Sequence, residues 1–267
     1  MQAAVIQMCS GMEVADNIAS ATSLIKKAAA AGAKLIATPE MTNLIVQGKA
    51  ALSARTVDQS NDPTLKAISK LARDLGVHIL VGSVAIRKGD RFRNRSVLID
   101  SSGKLTAHYD KMHMFDADVG DGDRWMESNT YEAGKRPVVA DVADLKLGLS
   151  ICYDLRFAEL FRHYARAGCD VISVPAAFTV PTGRAHWEVL LRARAIEAGA
   201  YILAPAQGGL HEDGRQTYGH SMIVAPWGEI VAEIDGNAPS FVTAEIDIEM
   251  VRQARSRVPA WSLKPQL

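Results

Sequence analysis

The sequence predicts a layered α/β fold with a mixed sheet, on three observations. Short apolar runs of strand length alternate with apolar residues at helical spacing, Gly or Pro marks the junctions, and turn residues in the middle separate runs that suit antiparallel pairing. The 267 residues are 48% hydrophobic and contain no polar linker, so one domain spanning 1–267 around a large core is expected.

Residues 1–9 read as a strand. Ile18, Ala21, Leu24, Ile25 and Ala28 then recur at helical spacing, Gly32 stops that helix, and 33–38 resumes as a strand, giving a βαβ unit. Asp62 and Pro63 make an N-cap and first-turn pair for a helix carrying Leu65, Ile68, Leu71, Ala72 and Leu75, which Gly76 ends before a strand over 77–86. Turn residues at 87–90 and 101–103 separate 91–100 from 105–109, the pattern of antiparallel strands. A strand over 145–151 leads into a helix with Phe157, Leu160, Phe161 and Tyr164, closed by Gly168 ahead of a strand at 171–174. Trp187, Leu190, Leu191, Arg194, Ala195 and Ala198 mark another helix before a strand at 201–204. Short strands with turns at 212–215 and 226–228 follow, and a last helix begins near Ile248. No internal repeat is visible in the sequence, which leaves room for a structural duplication of the two halves.

Lys plus Arg and Asp plus Glu both total 30, so no global charge favours nucleic acid or an anionic membrane. The expected partner is a small molecule or a second copy of the chain. The start lacks a basic leader and a small-residue cleavage site, and no apolar stretch approaches the roughly 20 residues a membrane span needs. A cytosolic protein is expected, with Cys9, Cys152 and Cys169 as reduced thiols. The sequon Asn94-Arg95-Ser96 then reads as chance.

Three residues carry the chemistry. Glu40, Lys111 and Cys152 each stand at or just past the end of an apolar strand-like run, the edge at which open α/β sheets bind ligands. Cys152 falls where a strand turns into a helix, so the positive end of the helix dipole is expected to lower its pKa. Taken singly, each has a plainer reading: a buried structural cysteine, a surface glutamate, a solvated lysine. Taken together they fit amide hydrolysis. A thiolate attacks the carbonyl carbon, a cation and a backbone N–H hold the oxyanion, and a carboxylate carries the thiol proton to the departing amine and then activates water. This chemistry calls for no metal and no cofactor. A Cys/His pair among His113, His186, His211 and His220 is not selected by spacing, His186-Trp187-Glu188 lacks the cysteines of a zinc deaminase, and neither a G-x-G-x-x-G nor a G-x-x-x-x-G-K is present.

Four ordered segments resemble the nitrilase superfamily of carbon-nitrogen hydrolases: Ala37-Thr38-Pro39-Glu40, Tyr109-Asp110-Lys111-Met112-His113, Glu127-Ser128-Asn129-Thr130, and Ile151 through Phe157 with Cys152 at its head. The resemblance covers nearly the whole chain. It implies a four-layer αββα sandwich that dimerises through helices, with Glu40 as general base, Lys111 as oxyanion-stabilising cation and Cys152 as nucleophile. It further implies that Glu127 holds Lys111 and the substrate amide, and that the Tyr153 backbone N–H is the second oxyanion donor.

Within the superfamily, the run from Ala185 to Glu197 looks like the amidase branch that includes omega-amidase, while Ala206-Gln207-Gly208-Gly209 with Tyr218-Gly219-His220-Ser221-Met222 is more similar to the deaminated glutathione amidases. The implied substrate is an α-keto, 2-oxoglutaramyl-type amide. Arg156, Arg184 and His186 are candidate carboxylate anchors because they are expected just past strand ends near the thiol. Arg156 also stands i,i+3 from Glu159, and pairing on its own helix is the plainer expectation. Phe178 and Thr182 are candidates for the pocket wall, and the acidic, glycine-rich loop over 118–125 for its mouth.

Overall fold

A computed structural model of the chain describes residues 1–118 and 124–263. In chain order the strands are β1 (Gln2–Gln7), β2 (Leu35–Ala37), β3 (His78–Lys88), β4 (Arg91–Ile99), β5 (Leu105–Asp110), β6 (Asp116–Asp118), β7 (Arg124–Met126) and β8 (Val139–Val142). They continue as β9 (Leu145–Leu149), β10 (Val171–Ser173), β11 (Tyr201–Ala204), β12 (Gly208–Leu210), β13 (Gln216–Tyr218), β14 (Met222–Val224), β15 (Ile230–Glu233) and β16 (Ser240–Glu245). The α-helices are α1 (Val14–Ala30), α2 (Lys49–Arg55), α3 (Pro63–Leu75), α4 (Ala158–Arg166), α5 (Val180–Ala198) and α6 (Ile248–Arg257).

Two six-stranded sheets pack face to face. Side chains alternate across the first, as the period of a strand requires. Ala3, Val5, Leu35, Ala37, Leu80 and Leu98 face the second sheet, while Ala4, Ile6, Ile36, Ile79, Val81 and Val97 face the apolar stripes of α1 and α3. Leu160, Phe161 and Tyr164 of α4 and Trp187 and Leu191 of α5 close the far side of the second sheet. The layers therefore run α, β, β, α, the sandwich that the resemblance implies.

In the order β16-β1-β2-β3-β4-β5 the pairings are antiparallel, parallel, parallel, antiparallel, antiparallel. In the order β8-β9-β10-β11-β14-β15 the second sheet repeats that series. The duplication that sequence does not display is written in the topology.

Helix ends follow local chemistry. The Asp62 carboxylate accepts from the Leu65 N–H at 2.8 Å, Pro63 opens α3, and Gly76 closes it at φ 64°. Two expectations need correction. The strand expected over 145–151 ends at Leu149, and its helix is split into a five-residue 3₁₀ turn, Cys152–Arg156, followed by α4. The helix marked by Trp187 begins earlier, at Val180, which places Arg184 and His186 on helix α5 and not in a loop at the sheet edge. No helix among the described residues is long and apolar enough to cross a membrane.

Candidate active site

The chain leaves β2 through a tight turn built for Glu40. The Thr38 and Thr42 hydroxyls lie 2.7 Å apart, the Thr42 hydroxyl donates to the Pro39 carbonyl at 2.8 Å, and Met41 takes φ 55° with its N–H on the Ser83 hydroxyl at 2.9 Å. The turn fits because Gly82 on neighbouring β3 has no side chain: a Cβ there would lie 1.9 Å from the Thr38 carbonyl oxygen. Lys111 follows β5 directly, its N–H on the Asn94 carbonyl at 2.9 Å.

The Lys111 ammonium donates to Glu40 Oε1 at 3.0 Å and to Glu127 Oε2 at 2.8 Å and Oε1 at 3.1 Å. Glu40 and Lys111 are 4% and 2% exposed, so these contacts act at low dielectric. Burial alone would push Lys111 down, but the charges of Glu127, Glu40 and Cys152 outweigh it and hold the ammonium well above its usual range. Asn94, within β4, donates through Nδ2 to both carboxylates, at 2.8 Å to Glu40 and 3.2 Å to Glu127. The Phe115 N–H fixes Glu127 Oε2 at 2.7 Å.

Cys152 opens the 3₁₀ turn at φ 51°, a left-handed conformation that a residue with a side chain adopts only when its surroundings enforce it. Its N–H donates to the Pro175 carbonyl at 2.9 Å. Burial first, and then the Glu40 charge and its hydrogen bond to the thiol, push Cys152 well above the usual thiol range; Lys111 and the Ala177 N–H pull the other way and lose. The expectation of a dipole-lowered thiol is thereby overturned. A five-residue turn carries little dipole, and the cluster already sets one cation against two carboxylates, so a further buried negative charge is disfavoured. The balance favours the protonated thiol.

Asp154 joins the segments. Fully buried, it accepts from the Tyr109 hydroxyl at 2.8 Å, the Ile151 N–H at 2.8 Å and the His113 N–H at 3.1 Å, and meets His113 Nδ1 at 2.6 Å. The strand before Lys111 is thus tied to the turn that carries Cys152. The histidines are engaged elsewhere than at the sulfur: His113 on Asp154, His186 on Arg156 at 3.3 Å, His211 on the Ser10 carbonyl and the Thr217 hydroxyl, His220 on Glu233.

A cavity of about 420 Å³ collects Glu40, Lys111, Glu127, Cys152, Tyr153, Arg156, Phe178 and Thr182. The Tyr153 N–H, second in its turn, has no helical acceptor and is free to face a ligand. Arg156 does not pair with Glu159. Its guanidinium lies 5.8 Å from the Tyr153 ring centre and 5.6 Å from that of Phe178. Arg184 is exposed on α5 and outside the cavity, and His186 touches the site only through Arg156. Sequence reasoning passed over Asn94, Asp154 and Arg215. Asp154 stood inside a quoted segment, Asn94 was set aside as part of a chance sequon, and nothing local marks Arg215. Residues 119–123 of the acidic loop lie outside the described residues.

The carbon-nitrogen hydrolase family model matches residues 2–256. The chain belongs to this family. Like other carbon-nitrogen hydrolases it acts on carbon–nitrogen bonds. The deaminated glutathione amidase of Yersinia enterocolitica is 42% identical over 261 residues, 96% of this chain and 90% of that one. Omega-amidase NIT2-B of Xenopus laevis is 34% identical over 244 residues, covering 91% of this chain and 87% of its own. Among solved structures, the C. elegans NitFhit protein superimposes with TM-score 0.90 at 35% identity over 98% of this chain and 64% of that one, so this chain spans under two thirds of that structure's length.

Proposed function

We propose that this carbon-nitrogen hydrolase is a cysteine-dependent amidase that cleaves a small α-keto amide of the 2-oxoglutaramyl type, with deaminated glutathione as substrate. One observation carries the mechanism: three residues from separate strand ends meet in one cavity, where Glu40 accepts from the Lys111 ammonium and Cys152 lines the same wall. The sulfur attacks the amide carbon as its proton passes to Glu40. The oxyanion is held by the Lys111 ammonium and the Tyr153 N–H, Glu127 and Asn94 keeping Lys111 and Glu40 in place. The C–N bond breaks as Glu40 returns the proton to the amine, leaving a thioester. Glu40 then takes a proton from water, which attacks the thioester and releases the acid and the thiol.

The likeness to deaminated glutathione amidases and the position of Arg156 support the substrate. Arg156 is placed to hold the α-keto acid carboxylate against the Tyr153 and Phe178 rings, with Thr182 on the wall. The same reading takes the chain as one catalytic domain working in the cytoplasm, where Cys9, Cys152 and Cys169 stay free. It also takes the chain as a homodimer. Val189 and Ile196 on α5 are 67% and 55% exposed, and Trp227 is 49% exposed, apolar surface that a second copy would cover.

The test is Cys152→Ala, which is expected to stay folded and to lose release of cysteinylglycine from deaminated glutathione; retained turnover would end this mechanism. Rates of the native enzyme on deaminated glutathione and on 2-oxoglutaramate, side by side, separate the proposal from an omega-amidase, and light scattering tests the dimer.

A further inference from the structure

The catalytic cycle uses one end of the cavity wall and leaves a second guanidinium idle at the other. Arg215 lies between β12 and β13, lines the cavity, and is stacked on Trp125 with Cζ 4.8 Å from the ring centre. Its Nε is buried and donates to nothing among the described residues. Asp213 approaches its Nη2 at 3.4 Å, but the carboxylate oxygen involved makes no hydrogen bond. A guanidinium seated over a ring with an unpaired donor is suited to a carboxylate.

Position decides which carboxylate. A row of aromatic rings separates the two arginines: Tyr153 stands 5.0 Å from Phe115, and Phe115 6.2 Å from Trp125, so Arg156 caps one end and Arg215 the other. Arg156 belongs to the same turn as the nucleophile. Arg215 lies on the Glu127 side, since the Trp125 ring it sits over is two residues before Glu127 and both line the cavity with Glu40 and Lys111. In amide cleavage the acyl part stays on sulfur and the amine departs toward the group that protonates it.

We propose that Arg215 binds a carboxylate carried by the departing amine, so that the pocket is built for amides of carboxylated, peptide-like amines over primary amides that release ammonia. The inference rests on the substrate reading above and adds to it the selection of the leaving group.

The experiment compares deaminated glutathione with its analogue ending in a glycine carboxamide, for native enzyme, Arg215→Gln and Arg215→Lys, each checked for native circular dichroism. Native enzyme is expected to show a KM roughly tenfold or more lower for the carboxylate form, the size of a charge-assisted hydrogen bond. R215Q is expected to lose that preference, and R215K to keep part of it. A preference that survives in R215Q, or is absent from native enzyme, overturns the proposal. If native enzyme cleaves neither form yet turns over 2-oxoglutaramate, the substrate reading falls. The subsite is then read from inhibition of that turnover by glycylglycine against glycylglycinamide. A preference for the acid that vanishes in R215Q upholds Arg215 as a carboxylate site while the selection over primary amides is withdrawn, and equal inhibition refutes the site as well.

Discussion

The loops that follow β2 and β10 occupy matching places in the two sheets and share an Ile and a Pro at the same spacing. Ile36-Ala37-Thr38-Pro39-Glu40 leaves the first, Ile172-Ser173-Val174-Pro175-Ala176 the second, and they touch over Gly82, where a Cβ would lie 1.9 Å from the Thr38 carbonyl oxygen and 2.6 Å from the Pro175 Cβ. Their charge diverges at one position. The first loop presents a carboxylate that meets Lys111 from the same sheet. The second presents Ala176 there and offers main chain: the Pro175 carbonyl accepts the Cys152 N–H. In a duplicated frame one loop has thus become charged and the other neutral, the neutral one packing its main chain against the turn that carries Cys152. A carboxylate at both loops would bury a negative charge with no cation to meet it, a cost of several kcal/mol.

The largest effect should come from stripping the charged half of its cation. Lys111→Met leaves Glu40 and Glu127 facing one another in a buried site, and is expected to lower kcat/KM by roughly 10³-fold. The same change should lower stability by about 3–5 kcal/mol, read by urea unfolding. A smaller effect should come from cutting the tie between the halves. Asp154→Asn keeps the shape but cannot accept from the Tyr109 hydroxyl and the Ile151 N–H on Oδ2 while also serving His113 on Oδ1. It is expected to cost about 2–3 kcal/mol in unfolding and to slow turnover more than it raises KM. The smallest should come from outside both halves: Arg184→Ala, exposed on α5, is expected to leave KM and kcat within about twofold of native. A large rise in KM there would return Arg184 to the substrate site.

Layered α/β packing and the helices α1 and α3 were legible because their signals are local: alternation, apolar stripes, a capping Asp and terminating glycines; the four-layer order came from the resemblance. The convergence of Glu40, Lys111 and Cys152 on one cavity was legible because each follows a strand end. What was not legible depends on long-range packing. The early start of α5 was hidden by Gly183, a poor helix former, present because a Cβ there would lie 2.2 Å from the Tyr218 ring. Asn94 sits mid-strand, and only the pairing of β4 with β3 and β5 brings it between Glu40 and Glu127. Arg215 reaches the cavity through a hairpin that folds back over Trp125. The protonation state of Cys152 could not be read from a strand-to-helix junction, because it is set by burial and by a carboxylate 112 positions earlier in the chain.

That protonation state is also where the division of labour is most exposed to measurement. Thiolate absorbance near 240 nm, recorded from pH 6 to 11 as the difference between native enzyme and Cys152→Ser, follows the ionisation of this one sulfur, and the same difference taken in a Glu40→Gln background reports what Glu40 does to it. Burial and Glu40 both favour the protonated form, so native Cys152 is expected to stay a thiol through neutral pH and to ionise only above the ordinary thiol range of about 8.5. Removing the carboxylate removes one of the two raising causes while Lys111 still lowers, so the midpoint is expected to move down in Glu40→Gln. A native enzyme already ionised at pH 7, or a midpoint indifferent to Glu40, would contradict a base in one half serving a nucleophile in the other.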